Sequence, residues 1–177
     1  DLDEIPKIEN LNIFKKKKYT VFNQKMFYYK FNLHNISQPN WIGTRACKKK
    51  HLKSPQWIRD KKIKNYPKWR LDTFFSKNKY TNVVFVDNGG WHFSYLNTPE
   101  LIEQKLKSYT HHREYDENPI GIKNIEKRIK NRESVYNLSI DKRVNKFSSG
   151  VKLEIMKLNE LPKFISENKE KYIDWIE

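Results

Sequence analysis

The sequence predicts an α/β fold. β-Branched and aromatic runs crowd the first hundred residues, at 19–33, 41–47 and 82–95, and apolar residues at 3.6-residue spacing follow beyond residue 97. No internal repeat or low-complexity linker interrupts the 177 residues, a length of about one domain, so residues 1–177 read as a single α/β unit. Within it, 1–18 carries an acidic motif and a short helix, 19–97 is a basic strand-rich block, and 98–177 is helical with one strand.

Asp1-Leu2-Asp3-Glu4-Ile5-Pro6 opens the chain with acids ahead of a proline. Pro6 suits the first turn of a short helix with those acids at its positive end, running to about Phe14 and stopping in the lysines at 15–18. Residues 19–33 (YTVFNQKMFYYKFNL) read as one or two strands, 37–40 as a turn, 41–47 as a short strand and 55–63 as a helical turn. The apolar run at 82–87 is broken by Asn88-Gly89-Gly90, after which 91–95 resumes as a strand. Asn97-Thr98-Pro99-Glu100 starts a helix, with a capping side chain, a first-turn proline and an acid, and Ile102, Leu106 and Tyr109 follow on one face. A second amphipathic helix covers 120–132 through Ile122, Ile125 and Ile129. Residues 151–158 alternate like a strand, and a last helix begins at Pro162.

The formal charge of +15 is unevenly spread. Residues 1–10 hold four acids against one base; 11–100 hold nineteen bases against Asp60, Asp72, Asp87 and Glu100; 101–177 hold sixteen bases against thirteen acids. A basic block of this size has two readings. One is an anionic partner, with the lysines at 15–18 and 48–50 and their interleaved aromatics forming a nucleic-acid-binding module. The other is a solvated face, and a composition of 29 Lys to 7 Arg favours it, because specific readers of bases and phosphates lean on arginine forks. No run of about 18 apolar residues is present to span a membrane. The single Cys47 excludes a disulfide framework and a cysteine-based zinc cluster. Phosphate-binding glycine loops, the nucleophile elbow and the zinc-protease helix motif are all missing, which removes support from nucleophilic hydrolases and dinucleotide enzymes.

Three constellations can carry chemistry. Asp1 and Asp3, two apart on an extended segment, point the same way and can chelate one divalent cation, although paired acids are commonly just solvated. Gly90-Trp91-His92-Phe93-Ser94-Tyr95 couples a close-approach glycine to an aromatic and an imidazole. Trp91 and His92 alternate, so on a strand only one of them lines a given cleft; core packing accounts for Phe93 and Tyr95. His111-His112-Arg113-Glu114-Tyr115-Asp116 follows the helix begun near Pro99. Its histidines suit a helix C-terminus, and Glu114 or Asp116 can equally accept a proton as general base.

D-x-D-E-I-P at the start and G-W-H-F-S-Y at 90–95, followed by Thr98-Pro99-Glu100 and Lys105, resemble glycosyltransferase family 17, the family of β-1,4-mannosyl-glycoprotein 4-β-N-acetylglucosaminyltransferases. Residues 107–116 and the closing Leu161-Pro162 helix extend the resemblance over nearly the whole chain. It implies an inverting, metal-dependent enzyme of the GT-A type, with a mixed sheet and flanking helices, that transfers N-acetylglucosamine from UDP-N-acetylglucosamine to a glycan or glycoconjugate acceptor. Asp1 and Asp3 would hold Mn²⁺ or Mg²⁺, with His92 as a third ligand or diphosphate contact. Glu4 would support the ligands or touch the acceptor. Gly90 and Trp91 would border the sugar, Trp91 as its stacking wall, while Trp41, Gly43, Arg45 and Lys105 would contact acceptor or diphosphate. Inversion requires a base, for which Glu114 comes first and Asp116 and Asp87 next. In a GT-A enzyme the nucleotide-binding half precedes the D-x-D, where this sequence begins. The expectation is therefore the C-terminal part of a longer enzyme, inactive alone. Its compartment would be the Golgi lumen for an animal-type member with an upstream anchor, or the cytoplasm for a microbial or viral one.

Overall fold

The computed structural model describes residues 2–9, 19–37, 40–62, 66, 67, 69–77, 79, 83–109, 112–141 and 143–177. The chain is a mixed α/β fold, with an open sheet of parallel and antiparallel pairings and flanking helices. It divides into two compact units: residues 1–25 with 40–92, and residues 26–39 with 93–177. No helix among the described residues is long and apolar enough to cross a membrane.

In the first unit, β1 (Glu4–Pro6), β4 (Trp41–Cys47) and β5 (Val83–Val86) join the first part of β2 (Tyr19–Tyr28) and the start of β6 (Gly90–Ser94). β4 runs antiparallel to β2 from Tyr19↔Cys47 to Gln24↔Trp41, with an irregularity between Val21 and Asn23. β5 runs parallel to β2, from Tyr19↔Val83 to Phe22↔Val86. Tyr19, Val21 and Val83 are buried where these strands meet, covered by Ile42, Cys47, Trp57 and Phe85. Trp57 comes from α1 (Pro55–Arg59), whose N-cap Ser54 accepts the Trp57 N–H at 3.0 Å through its hydroxyl. The predicted helical turn at 55–63 is thus present but shorter, and Ile63 lies outside the described residues. An unpredicted one-turn helix, α2 (Asp72–Phe75), follows.

The N-terminal motif departs from expectation. Glu4–Pro6 is a strand, not the start of a helix, and it pairs antiparallel with β6 in the register Glu4↔His92, Ile5↔Trp91, Pro6↔Gly90. Pro6 is tolerated because it ends a short strand at the end of the strand order, where a missing donor costs little. Residues 7–9 of that predicted helix are not helical either, and its remainder, 10–14, and the lysines at 15–18 lie outside the described residues. Gly90 makes the pairing possible. Its φ is +136°, and a Cβ there would sit 2.1 Å from the Ile5 carbonyl oxygen.

In the second unit, β3 (Leu33–His34) pairs with the end of β2 through Phe27↔His34, and with β7 (Glu154–Ile155) through Leu33↔Ile155. The expected strand at 151–158 shrinks to those two residues and an isolated bridge between Lys152 and Glu133, since Met156 leaves the ladder to donate its N–H to the Asn32 carbonyl. α3 (Pro99–Ser108) starts at Thr98 as expected and buries Ile102 and Leu106. Its cap chemistry differs from expectation, for the Glu100 carboxylate takes hydrogen bonds from Thr98 and its own backbone and is held below its usual range. α4 (Arg113–Glu117) and α5 (Ile122–Lys130) bury Tyr115 and Ile125. α6 (Lys163–Glu167) follows Pro162 and gives way to a 3₁₀ segment, Lys169–Trp175. Tyr28, Tyr29, Tyr95, Tyr136 and Phe147 form an aromatic cluster here, with Tyr28 stacked on Tyr95 at 5.9 Å and Tyr136 edge-on to both.

Candidate functional site

The pairing of β1 with β6 sets the acidic motif directly against the G-W-H motif, some 85 residues later in the chain. Glu4 stands opposite His92, and Asp3 Oδ2 lies 3.4 Å from His92 Nε2. The imidazole is almost wholly buried, while the Asp3 side chain is about one-third exposed. His92 Nδ1 is buried and makes no hydrogen bond among the described residues. Trp41, at the start of β4, closes the group: its indole N–H donates to Glu4 Oε1 at 2.9 Å, and its ring lies 4.8 Å from that of His92. One tryptophan is therefore anchored to an acid by its edge and to an imidazole by its rings. Trp91 follows the alternation of β6 onto the other face, opposite Ile5. Of the Trp91–His92 pair, His92 is the one that joins the Asp3–Glu4–Trp41 group. Asp1 lies outside the described residues.

A cleft of about 650 Å³ opens beside this group, between β4 and α1. Glu4, Trp41 and Arg45 line one side, and Gln56, Arg59 and Asp60 the other. Gly43 leaves the space that the buried Gln24 side chain fills; a Cβ there would lie 1.7 Å from Gln24 Oε1. Gln24 Oε1 also accepts the Thr44 N–H at 3.0 Å. The Arg45 guanidinium holds the end of α1, as its Nη1 donates to the carbonyls of Ile58, Arg59 and Lys61. Burial lowers the Arg45 pKa from its ordinary value, and the carboxylates of Glu4 and Asp60 oppose that shift. Across the cleft, Gln56 Nε2 donates to Asp60 Oδ1 at 2.8 Å.

The other sequence candidates have partners that explain them locally. Asp87 accepts from Asn23 Nδ2 at 2.8 Å and so steadies the turn between β5 and β6. In the second unit, Glu114 pairs with Lys146 Nζ at 2.5 Å, and Lys146 lies near the rings of Tyr136 and Phe147. Burial opposes the Lys146 charge, but the Glu114 and Tyr109 side chains outweigh it and raise its pKa. Asp116 takes a 2.5 Å contact from His112 Nδ1 one helical turn away. His112 is thus the N-cap residue of α4, not a group at the C-terminus of α3, and His111 lies outside the described residues. Lys105 Nζ sits 5.0 Å from the centre of the Tyr95 ring.

No group of three or more His, Cys, Asp or Glu side chains suited to a metal occurs among the described residues. Asp3 and His92 nevertheless fit as two members of such a set. Their 3.4 Å separation approaches the roughly 3.0 Å edge between neighbouring ligands of an octahedral ion with bonds near 2.1 Å. A carboxylate with an imidazole is also a donor pair that Mn²⁺ accepts.

Spacing in the sequence does not point to Gln24, Gln56, Arg59 or Asp60. Only Gln24 leaves a trace, as a polar residue in phase with the apolar Phe22 and Met26 along one face of β2. No protein-family model matches the chain, and neither a curated protein nor a solved structure does.

Proposed function

We propose that this chain belongs to an inverting GT-A-type glycosyltransferase, and that the enzyme transfers N-acetylglucosamine from UDP-N-acetylglucosamine to a glycan acceptor. The observation that carries this reading is the register of β1 on β6. The two motifs behind the resemblance to glycosyltransferase family 17 are adjacent strands, with Asp3 and Glu4 both at His92.

Asp3 and His92, together with Asp1, would hold Mn²⁺ or Mg²⁺. Such an ion supplies positive charge to the donor diphosphate and so stabilises it as a leaving group. The chain's own residues divide the remaining work. His92, locked between Trp41 and β1, fixes the direction of the Asp3 carboxylate. Glu4 orients the Trp41 indole, which borders the cleft. Gly90 admits β1 close enough for those contacts to form.

The test is turnover of UDP-N-acetylglucosamine by the full-length protein with and without Mn²⁺. Metal-dependent release of UDP is expected, abolished in Asp3→Asn with the fold retained. A lack of metal-dependent turnover with any UDP-sugar contradicts the proposal.

A further inference from the structure

We propose that α2 and the residues leading into it form a membrane-docking surface, which seats Trp69, Leu71, Phe74 and Phe75 in the headgroup boundary of a bilayer that contains anionic lipid. None of these side chains belongs to the site described above, and their docking does not depend on the glycosyltransferase reading.

The first observation is an inverted burial pattern. Trp69, Leu71, Phe74 and Phe75 are between 72% and 90% exposed, while the polar Thr73 among them is buried. A packed chain places such residues the other way round, and a cluster of large exposed apolar side chains marks a surface that something else covers. Local hydrogen bonds build this exposure in. Thr73 donates its N–H and its hydroxyl to the Arg70 carbonyl, at 3.1 and 2.7 Å. The Arg70 N–H donates to the Pro67 carbonyl and the Phe74 N–H to the Leu71 carbonyl, both at 3.1 Å. These successive turns hold Thr73 inward and so leave its apolar neighbours pointing out.

The second observation is charge, and it selects the partner. From Lys61 to Lys79 the sequence holds seven bases against Asp72 alone. That one acid is answered within the turn: Arg70 meets both of its oxygens, at 2.8 and 2.7 Å, and Lys79 Nζ lies 2.8 Å from Oδ2. An apolar tip in a basic stretch matches a leaflet with anionic headgroups, which attracts lysine and repels an unpaired acid. Tryptophan and lysine both suit that boundary, with ring or stem among the acyl chains and N–H or ammonium among the headgroups. Nucleic acid is the poorer match. Its bases stack on flat rings, which Leu71 lacks, and the guanidinium fork of Arg70 that would take a phosphate is occupied by Asp72. Docking of this kind lies on the bilayer and needs no spanning helix.

The experiment is co-sedimentation of the full-length protein with vesicles of phosphatidylcholine alone, and with vesicles mixing phosphatidylcholine and phosphatidylserine about equally. Binding to the mixed vesicles is expected, weakening as salt is raised. Phe74→Ser combined with Phe75→Ser is expected to weaken it by about tenfold or more. Both rings project into solvent, so this double variant should keep the thermal midpoint of the parent. Lys77→Glu, also at an exposed position, is expected to weaken binding by about fivefold or more. The proposal is overturned if the mixed vesicles are not bound, if phosphatidylcholine alone is bound as well, or if the double variant binds as the parent does. Size-exclusion chromatography and oligouridine binding complete the test. Loss of a dimer or of oligouridine binding in the double variant, with vesicle binding unchanged, assigns the patch to a second copy or to nucleic acid and likewise overturns the proposal.

Discussion

At the scale of single residues, a few positions fix the geometry of the site. Gly90 is held at φ +136° with β1 against it, so Gly90→Ala must both strain the backbone and push Ile5 away. The expected loss is on the order of 1–3 kcal/mol in stability, seen as a lower midpoint in urea unfolding. Trp41→Phe keeps the ring and removes the donor to Glu4. Because hydrogen bonds to charged groups are worth about 1.5–3 kcal/mol, and this one is only partly buried, a loss near the lower end is expected by the same measurement. A double-mutant cycle with Glu4→Gln isolates the term. Glycine at 90 was legible as a close-approach residue. Its partner was not, because an 85-residue separation carries no local signal of which strand it admits. The facing of His92 was legible only as a choice between it and Trp91, since alternation fixes which residues share a side but not which side meets the acids.

At the scale of elements, α1 depends on both of its ends. Ser54 caps it at the start, and Arg45 from β4 gathers the carbonyls at its finish. Ser54→Ala is expected to cost about 1 kcal/mol. Arg45→Met removes the guanidinium that gathers those carbonyls and should open the cleft wall, which hydrogen exchange at Ile58 and Asp60 would register as faster exchange. The strands at 41–47 and 83–86 and the helix beginning at Pro99 were legible because alternation, β-branching and a proline-led start act over short distances. The strand at 4–6 was not. Acids followed by a proline carry the signature of a helix start, and only the tertiary pairing with β6 overrides it. The aromatic cluster of the second unit gives a pH test. Burial raises the phenol pKa values of Tyr28, Tyr29, Tyr95 and Tyr136 above the ordinary value near 10. These phenols stay protonated in the folded state while the unfolded chain ionises. Their contribution is therefore complete below about pH 10 and falls as pH rises beyond it. Phenolate absorbance is expected to show these four of the ten tyrosines silent at alkaline pH until unfolding releases them together. Gradual titration of all ten in a folded protein contradicts this packing.

At the scale of the whole molecule, charge is a weaker guide than it first appears in the composition. The net +15 suggests a polyanion, yet the described lining of the cleft beside the candidate site balances two acids with two bases. No lysine enters that described lining. The proposed chemistry lies where Asp3 and Glu4 meet His92, and it requires that this meeting place take a metal. The most direct measurement is electron paramagnetic resonance titration of Mn²⁺ into the full-length protein in the presence of UDP, comparing the parent with Asp3→Asn and His92→Gln. The account predicts one Mn²⁺ site in the parent and affinity reduced by about tenfold or more in both variants. Equal Mn²⁺ affinity in the parent and Asp3→Asn would contradict it.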